Sequence, residues 1–299
     1  MGMTKEIVVG VDASDSGLAA VRWAADVAAA RQAPLRLVTI LPRWAYEMPD
    51  DGRYAEVGQW AREDAGNVIA RARSAASDGR PGLEIDTEVL PGDVKTVLVD
   101  RVEKAALAVV GTRGSGGFLD LLVGSVALTV AARAACPTVV VRRWEPTAPH
   151  DRVLVAVDVA QPDPVVLDAA AEEAHRRGAV LWLVSAVRGA RDIVAGRAER
   201  LSDEDAWYLE QGDEGPRQVL AGLVQDLCSR YEGLEVDGEV RAGHPVSVLQ
   251  DASGEADLLA IGRRHLRSRT PLGLGSITRG LLAQSQCPVM VVPVRDPDR

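Results

Sequence analysis

Gly111, Gly114, Gly124 and Ser125 stand in the pattern Gly, two residues, Gly, nine residues, Gly-Ser. An apolar run, Ala106–Val110, leads into the pattern, and Val-Ala-Leu-Thr-Val-Ala-Ala-Arg comes directly after it. The run reads as a short buried strand and the later segment as a helix that Cys136-Pro137 ends. In a glycine-rich turn several backbone amides can face one anion, because no Cβ blocks close approach. The first amides of the next helix lack intrahelical partners and sit at the positive end of its dipole. Strand, glycine loop and helix start together suit a phosphate. Ser125 is placed to cap that helix and to offer its hydroxyl to a ligand. The same glycines also fit a tight loop with no ligand.

The elements that must position this loop alternate along the chain. Glu6–Val11 reads as a first strand with Asp12 at its carboxyl end, and Ser14, Asp15 and Ser16 offer caps to an alanine-rich helix over Ala19–Arg31. Leu35–Leu41 is a second strand, residues 43–57 a loop, and Gly58–Ala76 a second helix. Leu83–Val89 alternates apolar and polar residues, as a sheet-edge strand does. Pro91-Gly92-Asp93 opens a third helix reaching about Lys104, and Thr138–Val141 is a fifth strand. Strands alternating with helices predict a parallel sheet. Such sheets bind ligands beyond the carboxyl ends of their strands, where strand order reverses. In the order 3-2-1-4-5, Asp12 and Gly111 flank that point.

The chain then repeats itself. Arg152–Asp158 matches the first strand and its Asp, Leu258–Gly262 the fourth strand, Gly275-Ser276 the pair Gly124-Ser125, and Cys287-Pro288 the pair Cys136-Pro137. Gly111 to Gly262, Gly124 to Gly275 and Cys136 to Cys287 are each 151 residues apart, whereas Asp12 to Asp158 is 146. The five extra residues are expected in the 188–217 region. This period is too long for a solenoid and marks a duplicated domain. The 299 residues suffice for two domains of about 150 residues, here 1–144 and 150–299, joined by a proline-bearing linker over 144–149.

Composition narrows the function classes. A net charge of −9 without a basic face argues against nucleic acid and anionic membrane as partners. No apolar run is long enough to span a bilayer, and the amino terminus carries no signal-peptide core. Cys136, Cys228 and Cys287 lack metal spacing and read as reduced and buried, in a cytoplasmic protein. The loops lack the Lys of a P-loop, and His150, His175, His244 and His265 are scattered, so no catalytic triad or metal motif emerges.

Val-Gly-Val-Asp at 9–12 with Ser14 close behind, Gly-Thr-Arg-Gly at 111–114 with Gly124-Ser125, and Cys-Pro-Thr-Val-Val-Val at 136–141 resemble the ATP-binding type of universal stress protein. Two copies cover nearly the whole chain. The resemblance implies an α/β fold: two tandem Rossmann-like domains, each a five-stranded parallel sheet of order 3-2-1-4-5. It implies a stress-response regulator that binds ATP, with or without Mg2+, and turns it over slowly or not at all. Asp12 would contact the adenosine end, and Ile40 would lie against adenine. Gly10 belongs to the same motif, and Val110, Gly111, Arg113, Gly114, Gly124, Ser125 and Val126 would hold ribose and phosphates. Helix capping remains open for Asp12, and plain core for Ile40. A slow ATPase and a pure interaction protein are the rival classes.

The second half departs from this pattern. Its corresponding positions are Asp158, Ala186, Gly262, Arg263, His265, Gly275, Ser276 and Ile277, with His265 where the second Gly should stand. Gln161-Pro162-Asp163-Pro164 replaces the serine-rich turn. One reading is a degenerate site kept for packing. The other is a working site with stronger charge, since Arg263, Arg264, Arg267 and Arg269 crowd one loop.

The fifth strands, Thr138–Val141 and Val289–Val292, are short valine-rich runs expected at sheet edges. The family resemblance implies antiparallel pairing between such strands, which makes the two halves an intrachain pseudo-dimer and leaves whole chains free to form a homodimer. Cysteines placed in the two fifth strands are therefore expected to crosslink within one chain, or between chains if the halves swap. Absence of both products, with separate unfolding of the halves, would contradict the pairing.

Overall fold

The computed structural model describes residues 6–49, 51, 54–114, 123–142, 149–187, 214–263 and 273–294. These fall into two compact units. The first contains β1 (Ile7–Gly10), α1 (Asp15–Arg31), β2 (Leu35–Leu41), α2 (Arg43–Glu47), α3 (Ala55–Ser77), β3 (Ile85–Pro91), α4 (Val94–Arg101), β4 (Leu107–Gly111), α5 (Ser125–Arg133) and β5 (Thr138–Val141). The second contains β6 (Arg152–Ala156), α6 (Pro164–Arg177), β7 (Val180–Val187), α7 (Glu214–Arg230), β8 (Val236–Ala242), α8 (Pro245–Ala252), a 3-10 turn (Ser253–Glu255), β9 (Leu258–Arg263), α9 (Ser276–Gln284) and β10 (Val289–Pro293).

In the first unit the strand order is β3-β2-β1-β4-β5, and in the second β8-β7-β6-β9-β10. Every pairing within a unit is parallel. Each half thus has the expected 3-2-1-4-5 sheet. The central strands are apolar on both faces, as parallel strands covered by helices must be. Ile7, Val8, Val9, Ala108 and Val109 are completely buried. Alanines 20, 24, 25 and 28 of α1 are also completely buried, and their small side chains let the helix lie close on the sheet around Trp23. β3 is half-exposed along its whole length, in keeping with its place at the sheet edge.

Several boundaries differ from the sequence reading. The helix after Asp12 begins at Asp15, because Ser14 caps it by accepting from the Gly17 amide at 3.0 Å. Residues 43–47, read as loop, form a single helical turn between Pro42 and Pro49. Cys136 and Cys287 are buried, and burial pushes the Cys287 thiol up to about 12. Cys228, expected to be buried, is exposed. It comes next to Leu227 on α7, whose buried residues are Pro216, Leu220 and Leu227, and one further residue turns about 100° away from that stripe. Equivalent positions are 146 apart up to the second strand and 151 apart from the third (Ile85 and Val236), which places the extra residues between β7 and β8; most of that interval lies outside the described residues.

At the amino end of the first sheet, Arg36 of β2 contacts Glu6 at 2.6 Å, Glu88 at 2.9 Å and Asp86 at 3.0 Å. Arg101 of α4 contacts Glu88 at 2.6 Å and Glu6 at 2.7 Å. The network joins β2, β3, α4 and the lead-in to β1. Burial acts to raise the Glu6 carboxyl, but the hydrogen bonds from Arg101 and Arg36 outweigh it and hold the group below its usual range. The Arg101 hydrogen bond does the same for Glu88, against the opposing effect of burial. The second unit solves the same position differently. Trp182 occupies the place of Arg36, with the guanidinium carbons of Arg152 and Arg241 5.1 and 5.0 Å from its ring centroid.

Because Glu6 and Glu88 are lowered on folding, the stability they contribute is present above their unfolded value of 4.5 and is lost as pH falls through the folded values. Arg36→Met should cost about 2 kcal/mol at pH 7, by loss of several charge-assisted hydrogen bonds. Urea unfolding of both proteins should show that gap narrowing as pH is lowered below about 4. A gap independent of pH would contradict the assignment.

Candidate functional site

β1 and β4 are neighbours, yet the chain leaves β1 towards β2 on one side and leaves β4 towards β5 on the other. The crevice beyond their carboxyl ends is the switch point of the sheet. A cleft of about 630 Å³ opens there. All ten first-half positions singled out in the sequence line it: Gly10, Asp12, Ile40, Val110, Gly111, Arg113, Gly114, Gly124, Ser125 and Val126. They come from four separate segments and up to 116 residues of chain (Gly10 to Val126).

Hydroxyls at the start of α1 hold the β4 loop in place. The Ser16 hydroxyl donates to the Arg113 carbonyl at 2.6 Å and accepts from the Arg113 amide at 3.2 Å. Ser14 Oγ lies within hydrogen-bond distance of Asp12 Oδ1 and of the Arg113 carbonyl. The Ser14 amide donates to Asp12 Oδ1 at 3.1 Å. Ser14, not Asp12, is thus the cap of α1; Asp12 holds that capping residue in place and also lines the cleft.

The glycines have distinct reasons to be glycine. A Cβ on Gly111 would lie 2.6 Å from the Ser16 carbonyl carbon and 2.8 Å from the Gly17 nitrogen, both backbone atoms. Gly111 is therefore required for α1 to approach β4. Among the described residues, a Cβ on Gly114 would meet only Asp12 Oδ2, at 2.9 Å. Gly114 itself is exposed, so its lack of a side chain keeps the cleft floor open beside the Asp12 carboxylate.

Gly124, and not Ser125, is the N-cap of α5, with φ −70° and ψ 153°. The Gly124 amide donates to the Thr112 carbonyl at 2.6 Å, and this bond fixes where the helix begins. Ser125 is consequently the first helical residue, exposed, with its hydroxyl not used in capping. The first amides of α5 face this end of the cleft without intrahelical partners. Arg113 adds a side-chain cation, also exposed.

Much of the remaining lining is apolar. Val11, Val38, Ile40, Val94 and Leu98 belong to it. Val38, Val94 and Leu98 were missed in the sequence because they read as ordinary core of a strand and a helix. Thr39 also lines the cleft, but its hydroxyl donates to the Val11 carbonyl at 2.9 Å and ties β2 to the end of β1. The lining therefore combines an anion-favouring set of amides, an apolar set and one carboxylate, Asp12, which lies beside Gly114.

The second unit keeps only part of this arrangement. Gly275 caps α9 with φ −63° and ψ 161°, as Gly124 caps α5, and Ser276 and Ile277 come next, both exposed. The C-caps of α1 and α6, Gln32 and Gly178, are 146 residues apart, as are Asp12 and Asp158. Yet α6 has 14 residues against 17 in α1, so it has lost about one turn at its start. Pro162 and Pro164 enforce this, since proline disfavours helix in the residue before it. Asp158 Oδ1 instead accepts from the amides of Ala160 and Gln161, at 3.0 and 3.3 Å. Ala160 and Pro162 stand where Ser14 and Ser16 stand, so no hydroxyl reaches across from these positions. Gly262 is overlain by the Val166 side chain, which a Cβ would meet at 2.8 Å, and not by backbone. Arg263, expected on the loop surface, is 5% exposed at the end of β9, because its position corresponds to the buried Thr112. Ala186 lies half-buried in β7. His265, with Arg264, Arg267 and Arg269, lies outside the described residues.

A family model described as the universal stress protein family matches residues 3–142 and again 149–293. A universal stress protein of Mycolicibacterium smegmatis is 30% identical over 294 residues, covering 97% of this chain and 97% of the relative. One from Mycobacterium tuberculosis is 30% identical over 307 residues, with 95% of each chain covered. The solved structure of a universal stress protein from Archaeoglobus fulgidus superposes with a TM-score of 0.68 at 18% identity, over 96% of this chain and 98% of that one, which supports the fold. Two matched copies of the family model, full-length relatives and the repeated 3-2-1-4-5 sheet lead to one conclusion: the chain is a tandem member of the universal stress protein family.

Proposed function

We propose that the first half binds one adenine nucleotide, ATP in the leading reading, as a regulatory ligand, and that the second half binds none. The observation that carries this is the mixed chemistry of the cleft lining. Its α5 end offers amides, the Gly114 backbone and Arg113 to phosphates. Its apolar lining, which includes Val38, Ile40 and Leu98, suits a planar base. Asp12, an acceptor beside Gly114, suits ribose hydroxyls. Among the described residues no group of three His, Cys, Asp or Glu side chains could hold a metal. Asp12 is the single carboxylate among the described residues of the lining, so a Mg2+ ion would be carried largely by the phosphates.

The same lining supports slow turnover. Rapid hydrolysis needs a group that orients water and a cation at the developing charge. Among the described residues, Asp12 and Arg113 are the only charged side chains lining the cleft, and Asp12 is engaged by Ser14. In the second half the shortened α6, the closed Asp158 turn and the absent serine hydroxyls remove the supports on which the first site rests.

Calorimetric titration with ATP should give one site per chain. Gly114→Val should weaken binding by about tenfold or more while leaving the unfolding transition in place. Gly111→Ala should instead lower stability by about 2–3 kcal/mol, because its Cβ meets backbone. Unchanged affinity in a folded Gly114→Val protein would refute the site, and two equivalent sites would refute the division between halves. Phosphate release should stay well below about 1 per second; a faster rate would make the protein an ATPase.

A further inference from the structure

Beyond the nucleotide cleft, the most unusual surface among the described residues lies on α2 and the start of α3. Of the eight large hydrophobic residues found exposed, five fall within seventeen residues here: Trp44, Tyr46, Tyr54, Val57 and Trp60. Trp60 is 68% exposed and Trp44 is 53% exposed. In so aromatic-poor a chain, with six Trp and four Tyr in all, this is a concentration. Tyr54, Val57 and Trp60 succeed one another at three-residue spacing at the start of α3, which packs against α2, and exposed apolar side chains grouped in this way mark an interaction site.

The charge around it indicates the partner. Residues three and four apart are neighbours on a helix. Trp60 therefore has Glu56 and Val57 on one side and Glu63 and Asp64 on the other, and all three carboxylates are exposed. Glu56 and Asp64 form no ion pair with any described residue. The one basic side chain in the first ten residues of α3, Arg62, turns back to the Ala45 and Met48 carbonyls at 2.9 and 3.4 Å. It ties α2 to α3, and among the described residues no cation is paired with Glu56, Glu63 or Asp64. An indole face ringed by carboxylates favours a cation by ring quadrupole and by charge together.

We propose that the α2–α3 surface docks a basic segment of a partner protein, with arginine or lysine side chains seated on the Trp60 and Trp44 rings. The carboxylates flanking Trp60 select positive charge, and the exposed aromatics supply the apolar contact. This surface does not depend on the nucleotide reading, and its test uses no nucleotide.

The test titrates the full-length chain with a labelled peptide of alternating Gly and Arg, with a Gly-Glu peptide as control, near physiological salt where weak surface attraction is screened. Saturable binding of the Gly-Arg peptide alone is expected. Trp60→Ser, an exposed substitution that should not disturb folding, should weaken it by about tenfold. The pair Glu56→Gln and Asp64→Asn should weaken it comparably, with circular dichroism unchanged in both proteins. Equal binding by wild type and Trp60→Ser would overturn the proposal, since only overall negative charge would then be acting. So would absence of binding, or sedimentation showing a dimer that Trp60→Ser dissociates, which would make a second copy of the chain the occupant.

Discussion

The first half is organised around the contact between the start of α1 and the end of β4. Ser16 holds the Arg113 backbone by both its amide and its carbonyl. Gly111 makes that approach possible, because a Cβ there would strike the backbone of residues 16 and 17. Asp12 and Ser14 order the same turn of helix. A glycine loop alone is conformationally permissive, and permissiveness costs entropy when a ligand must be bound. Tying the loop to a helix start orders the cleft in advance, which would leave less ordering for the proposed nucleotide to induce.

The duplicated half shows the effect of changing that contact. Its sheet order and its Gly275 helix cap are retained, so the fold does not require a serine-rich turn. Two prolines move the start of α6 by about a turn, and Asp158 closes on its own turn. The amino-end ion network is likewise replaced, by a tryptophan ring that two arginines approach. Each unit satisfies the same backbone with different chemistry, consistent with cores that tolerate substitution if volume and pattern are kept. The consequence is structural asymmetry within one chain, on which the proposed one-site reading rests.

Most of the architecture was legible in the sequence because buried parallel strands read as apolar runs and the two halves could be checked against each other. All ten first-half positions line one cleft: Asp12, Gly111, Gly114, Gly124 and Ser125 are marked by strand ends and glycine spacing, which are local signals, whereas Ile40 and Val126 were placed by the family resemblance. The features that escaped depend on contacts across the fold. The hydrogen bonds between Ser16 and Arg113 span 97 residues, and nothing local announces them. Leu98 packs over Gly10, where a Cβ would come within 2.6 Å of it, yet in the sequence it is one more apolar residue of a helix. The turn at 43–47 is too short for helical periodicity to register. The burial of Arg263 is set by its register in β9, and charge composition alone pointed the other way.

A crystal structure of the chain grown with ATP addresses the central claim most directly. The account predicts one nucleotide, with its phosphates at the Gly124–Ser125 helix start and its base against Val38, Ile40 and Leu98. It also predicts no nucleotide beside Asp158 and Gly262. Phosphates bound elsewhere, or equal occupancy of both halves, would contradict it.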